Sequence, residues 1–178
     1  MTLRVGIVGT GAPNTGLNPE EVTKAGFSVA YRHAPCYREL DDTELVGCAD
    51  LVEENRDVFA ETFDLPAENA YEGHLEMVEE LDLDFVDVCT PAATHADIAV
   101  DLAATGEIDA VHSEKPMAST WGDAQRMATA CWRRGVQLTF NHQRRFGDPF
   151  RRARSLLESG EIGTLERMEI SPGAMFSY

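Results

Sequence analysis

Lysine is almost missing from this chain. Only Lys24 and Lys115 are present, against 13 arginines, and 31 acids outnumber 15 bases for a net charge of −16 over 178 residues. An acidic surplus with scarce lysine and frequent arginine marks a surface suited to high salt, where self-repulsion is screened, so a halophilic source is expected. Long apolar runs are missing too. None approaches the ~20 residues of a membrane helix, and the N-terminus has no charged-then-apolar signal pattern. The expectation is a soluble cytoplasmic protein with no membrane partner. The four cysteines, at 36, 48, 89 and 131, form no C-x-x-C pair and follow no metal-ligand rhythm. They read as small reduced core residues, and no metal site is expected.

The charge is unevenly spread. Residues 1–110 hold 24 acids and 5 bases, whereas residues 111–178 hold 7 acids and 10 bases. Seven arginines between 133 and 154 make the difference. No nucleic-acid-binding motif accompanies them, so acidic neighbours or a partner domain are their expected counterparts rather than nucleic acid.

What is present is a hydrophobic fraction of 43%, enough for one good core and the start of a second domain. Short apolar runs suit buried strands at 3–9 (LRVGIVG), 44–50 (ELVGCAD), 84–90 (DFVDVCT), 109–114 (DAVHSE) and 136–141 (VQLTFN). Helical patterns lie between them. Thr94 with Asp97, and Thr120 with Asp123, have the spacing of a capping residue and a third-position acid. Ile98, Ala99, Leu102 and Ala103 then share one helix face, and Ala124, Met127, Ala128 and Cys131 share another. Residues 51–63 read as a largely charged helix. This β–α–β alternation predicts an α/β fold, a parallel sheet wound with helices on both faces.

The pattern changes after residue 147. Asp148 and Pro149 look like an N-cap and first helical position, with Phe150, Ala153 and Leu157 on one face. SGEIG (159–163) stops that helix, and TLERMEIS (164–171) alternates like a strand. The expected organisation is the parallel-sheet domain over 1–147, then a linker helix and first strand of a C-terminal α+β domain over 148–178. A sheet edge left open there makes self-association expected.

Gly9-Thr10-Gly11 directly follows the first strand. In a Rossmann-type unit such glycines allow a tight turn and close approach of a pyrophosphate to backbone N–H groups. Asn14 breaks the full G-x-G-x-x-G, and alone the signal is weak, since glycine-rich loops often follow strands. Asp50 ends the second strand, where a carboxylate can accept from an adenosine ribose or can simply begin a loop. Residues 12–27, rich in Gly, Pro and Asn, read as an inserted loop that lengthens the Gly11-to-Asp50 spacing. Excising it places Ala30 in the third-glycine slot. An acid at position 50 disfavours an extra ribose phosphate, which points to NAD over NADP. At the end of the third apolar run, Thr90 and Pro91 turn the chain out at the carboxyl edge of the sheet, where α/β proteins hold ligands. His95, near a helix start, either contacts ligand or caps and packs.

These pieces together resemble the Gfo/Idh/MocA family, the glucose–fructose oxidoreductase and inositol dehydrogenase group. The resemblance runs from residue 3 to about 171 and is carried by VGIVGTG, VCTPAATHADIA (88–99), SEKPMA (113–118), NHQRRF (141–146) and GEIGTLERMEI (160–170). Glu-Lys-Pro at the end of the fourth apolar run with an Arg-Phe pair one helix later is its most specific combination. His33 resembles a histidine that such proteins often carry in the first helix. The resemblance implies NAD(P)-dependent hydride transfer on a hydroxyl or carbonyl of a sugar, cyclitol or similar small molecule. It also implies a nicotinamide near Glu114-Lys115-Pro116, a cis Pro116, and a substrate domain C-terminal to this stretch. Asn141, His142 and Arg145 are then candidates for contacts to nicotinamide or substrate.

One of two lysines standing at position 115 acquires a meaning in that light. Hydride removal from a carbinol leaves a protonated carbonyl unless the hydroxyl proton also departs, and a well-placed acid–base group speeds that step by about 10²–10⁴-fold. An ammonium can exchange a proton where a guanidinium cannot. Lys115 is therefore the expected group for proton relay or for polarising the reacting oxygen, with Glu114 orienting or balancing it. The alternatives are a non-catalytic NAD(P)-binding module and an inactive fragment.

Overall fold

A computed structural model describes residues 2–11 and 28–169. The proposed insertion at 12–27, Lys24 and Asn14 within it, and residues 170–171 lie outside the described residues.

The five apolar runs are strands, and the central ones are buried because their side chains meet helices on both faces of the sheet, whereas the edge strand at 137–140 is only partly covered. The five are β1 (Leu3–Val8), β2 (Thr43–Ala49), β4 (Phe85–Val88), β5 (Ala110–Ser113) and β6 (Gln137–Phe140), and the two-residue β3 (Ala70–Tyr71) joins them. All pairings are parallel. The order β3-β2-β1-β4-β5-β6 reverses direction between β1 and β4, the switch point at which doubly wound sheets open a crevice at their carboxyl edge. The fold is the expected Rossmann-type α/β sheet.

The helices are α1 (Ala30–Glu39), α2 (Glu53–Thr62), α3 (His74–Glu80), α4 (Ala92–Thr105) and α5 (Trp121–Arg134). One core layer gathers Met77, Val86, Ile98, Leu102, Val111 and Met127, between α3, α4, α5 and the sheet; the opposite layer packs Ile7, Ala30, Ala34, Cys48 and Phe59 under α1 and α2. Cys48, Cys89 and Cys131 are buried and free as core residues, but Cys36, also expected in the core, is exposed on α1. Among the described residues no helix is long and apolar enough to cross a membrane.

Three local expectations need correction. Thr94 does not cap α4: the helix starts at Ala92 after Pro91, which has extended backbone. The Thr94 hydroxyl instead donates back to the Pro91 carbonyl at 2.9 Å, as a threonine inside a first turn does. Asp148 is the first residue of α6 (Asp148–Glu158) rather than its cap, which is Gly147. Residues 164–169 form no strand, because alternation supplies a pattern but not the neighbouring strand whose N–H and C=O groups complete a ladder. Thr120 does cap α5, accepting from the Asp123 N–H at 3.1 Å.

The chain divides into two compact units, Met1–Asn141 and His142–Tyr178. The first carries the sheet and its helices. The second carries a short 3-10 turn at Gln143–Phe146 and α6, closed by Gly160 and Gly163 at positive φ.

Candidate active site

Parallel pairing brings the carboxyl ends of β2, β1, β4, β5 and β6 to one edge in that order, so Asp50, Gly9, Thr90, Glu114 and Asn141 lie along it. Gly9 leaves β1 at φ +90°, a conformation side chains rarely adopt. A Cβ there would stand 2.6 Å from the Thr90 methyl and 2.9 Å from the Thr90 nitrogen. Glycine thus lets the β1 loop lie directly against the end of β4. The amides of Thr10 and Gly11 both donate to Asp50 Oδ2 at 2.8 Å, while Oδ1 receives the Val52 N–H and the Asn55 amide. Asp50 therefore ties the glycine loop to the end of β2. It stays partly exposed, and Leu51 and Val52 after it are exposed.

His95 performs the same task between β4 and β5. It is 1% exposed, and its ring nitrogens face the Thr90 carbonyl at 2.7 Å and the Pro116 carbonyl at 2.9 Å. Of its two readings, ligand contact or packing, this burial suits packing: it joins the loop bearing Thr90 and exposed Pro91 to the Glu114-Lys115-Pro116 turn. The Lys115–Pro116 peptide is cis. Lys115 is half exposed, with its ammonium 3.4 Å from Glu114 Oε2. The same Oε2 accepts the Lys115 backbone N–H at 3.0 Å.

Glu114 is 5% exposed, and its other oxygen is held from the protein side. Oε1 accepts from the Asn141 amide at 2.6 Å and lies 3.3 Å from His33 Nε2. Burial alone would raise the Glu114 pKa, but the bonds from His33, Asn141 and the Lys115 N–H outweigh it and lower the value to about 2. His33 Nδ1 is 2.7 Å from Asp87 Oδ2, and the Tyr37 hydroxyl donates to that oxygen at 2.9 Å. Burial works against a charged imidazole, yet Asp87 and Glu114 prevail and raise the His33 pKa to about 9. An unbroken line of charge runs from Asp87 through His33 and Glu114 to Lys115.

Of the residues singled out in the sequence, Gly9, Thr10, Gly11, Asp50, Thr90, Pro91, His95, Glu114, Lys115 and Asn141 are brought to this edge or directly behind it. Arg145 belongs to the second unit, as does His142. Asp87 and Tyr37 were missed. Asp87 left a signal, as an acid in the middle of an otherwise apolar run that must find a partner once buried.

Comparison with known proteins agrees with this geometry. Residues 24–142 match the Gfo/Idh/MocA oxidoreductase family with its NAD-binding Rossmann fold. The chain belongs to that family. It is 33% identical to the D-apiose dehydrogenase of Paraburkholderia graminis over 78% of this chain and 35% of that enzyme. It is 27% identical to the myo-inositol 2-dehydrogenase of Thermotoga maritima over 90% of this chain and 42% of that enzyme. Among solved structures, the WlbA dehydrogenase of Bordetella pertussis, in complex with NADH and UDP-GlcNAcA, superposes with a TM-score of 0.73 at 26% identity, covering 92% of this chain and 44% of that one. The chain thus spans less than half the length of these relatives. The domain is an NAD(P)-binding Rossmann domain of a dehydrogenase family.

Proposed function

We propose that this Gfo/Idh/MocA chain is the cofactor-binding part of a dehydrogenase that transfers hydride to or from a hydroxyl or carbonyl carbon of a polyol, cyclitol or sugar-like molecule. The observation that carries the reading is the meeting of the Gly9–Gly11 loop, the Thr90 loop and the Lys115 turn along one sheet edge. Asp50 and His95 hold these segments together. The residues fit a dinucleotide: without a side chain at Gly9 the glycine loop packs against Thr90 at the switch point where such sheets hold a pyrophosphate, and the partly exposed Asp50 stands beside that loop, where a ribose would lie. In this reading Gly9, Thr10 and Gly11 face the pyrophosphate and Asp50 the adenosine ribose, where its charge favours NAD over NADP. Thr90 and Pro91 line the groove, and Glu114, Lys115 and Asn141 surround the nicotinamide end. A bound nicotinamide supplies the hydride donor or acceptor.

Lys115 Nζ holds or passes the proton of the reacting oxygen, and Glu114 balances its charge. The names of the apiose and inositol dehydrogenase relatives support the substrate class. The reading includes domain limits at 1–147 and 148–178, a soluble cytoplasmic setting, an acidic surface adapted to high salt, and self-association. Calorimetric titration in molar salt is expected to show NAD binding more tightly than NADP, with the gap narrowed by Asp50→Ala. In a protein carrying the substrate domain, Lys115→Ala is expected to keep cofactor affinity and lower turnover by about 10²–10⁴-fold. Binding of neither dinucleotide overturns the reading, and a large affinity loss with unchanged turnover overturns the role of Lys115.

A further inference from the structure

Lys115 is set by a residue remote from it in sequence. We infer that His33, bridging Asp87 in β4 to Glu114 at the end of β5, is a positioning residue that clamps Glu114 and through it fixes the Lys115 backbone and ammonium. The inference deepens the proposed function, because it matters to catalysis only if Lys115 is the proton-bearing group. Glu114 has two oxygens with separate duties: Oε2 takes the Lys115 N–H and faces its ammonium, and Oε1 takes Asn141 and faces His33. A carboxylate held on one side only would rotate about its χ angles. The Asn141 Nδ2 amide reaches both partners, 2.6 Å from Oε1 and in hydrogen-bond contact with His33 Nε2 at 2.9 Å, so His33 on α1, Glu114 after β5 and Asn141 after β6 interlock.

The far side of the bridge is rigid. Asp87 is fully buried and held by Tyr37 from α1, so His33 cannot release Asp87 without stranding a charge in the core. Its second oxygen has no hydrogen-bond partner among the described residues, which leaves His33 and Tyr37 as the groups that secure it. The other titratable groups around His33 are Cys89, 3.5 Å from Nδ1, and His112, whose ring lies 6.0 Å away. Burial raises the Cys89 pKa well above the ordinary thiol value and lowers that of His112. Neither carries charge at neutral pH, so the charged imidazole, with its pKa of about 9, faces only the two carboxylates and, beyond Glu114, Lys115.

The chain has only two lysines, so selective ¹⁵N-lysine labelling yields two backbone amide signals, and Lys115→Arg identifies that of Lys115. In the 178-residue chain the Lys115 amide is expected to shift with a midpoint near pH 9, following His33. In His33→Gln that pH step disappears and amide exchange with water at pH 7 accelerates at least about tenfold. The double variant His33→Gln/Asp87→Asn removes both core charges and shows the same Lys115 change should the single variant fold poorly. An unchanged Lys115 amide in a folded variant overturns the inference, because a merely structural His33 would leave it in place. His33, Asp87 and Cys89 also bring three ligand-type atoms within 4.8 Å. A cobalt(II) thiolate absorption band abolished by Cys89→Ser would put a metal where the proton is assigned and overturn it as well. None of these signals requires cofactor, so a failed dinucleotide titration beside an intact clamp discards the function and keeps the inference.

Discussion

At the scale of single residues, one histidine decides how this domain meets alkaline solution. The folded state holds the His33 proton more tightly than the unfolded chain, with a pKa of about 9 against the ordinary 6.5. Its contribution to stability is therefore fully present below about pH 6.5 and lost as pH rises through about 9. Glu114 has the opposite sign: lowered to about 2 from 4.5, it contributes fully above its ordinary value and less as pH falls toward 2. The melting temperature should accordingly decline between pH 7 and 9.5, and His33→Gln should be less stable at pH 7 but flatter over that interval. A parallel decline in both proteins would assign the alkaline loss to other groups. The sequence made part of this arrangement legible. Scarcity of lysine drew attention to Lys115, and the turn at Gly9 was readable because only glycine tolerates its backbone. The link to His33 was not, because an imidazole's partner is chosen by the packing of α1 on β4, which no local spacing encodes.

At the scale of elements, legibility followed how much of an element's signal is local. The five strands other than β3 were readable because parallel strands inside a doubly covered sheet are nearly continuous apolar runs, and even the partly covered β6 keeps Leu138 and Phe140. β3 escaped, since two residues leave no period, and α3 is short and acid-rich. Threonine three residues before aspartate marked two helix starts, yet only the one at Thr120 is real. At Thr94 the preceding Pro91 had already begun the helix, so a capping pattern became an interior residue. Residues 164–169 show the converse limit: their alternation was correctly seen, but strandhood belongs to a pair. The cap at Thr120 carries a testable consequence. Its oxygen satisfies the Asp123 N–H at the start of a helix that buries Met127 and Cys131 against the core. Thr120→Ala should cost about 1 kcal/mol in chemical denaturation, with Thr120→Asp close to the parent. No loss in the alanine variant would mean that water replaces the cap freely.

At the scale of the whole molecule, the account comes down to which end of the sheet receives a ligand. The surface offers a rival: a depression lined by Arg4, Arg38, Glu44, Asp64 and Asn69, near the amino ends of β1 and β2 and remote from the glycine loop. Its arginines are engaged, Arg4 with Glu44 and the Asp82 carbonyl, Arg38 with Asp64, and it brings together no group suited to proton transfer. The strand-end edge has the backbone turn, the acid beside it and the lysine. Amide chemical-shift mapping with NADH on the uniformly ¹⁵N-labelled chain in molar salt distinguishes the two directly. The account predicts saturable shifts concentrated at Gly9, Thr10, Gly11, Leu51, Thr90 and Lys115, with Arg4, Arg38 and Asn69 still. Shifts confined to the Arg4–Asn69 depression, or none at millimolar NADH, would contradict it.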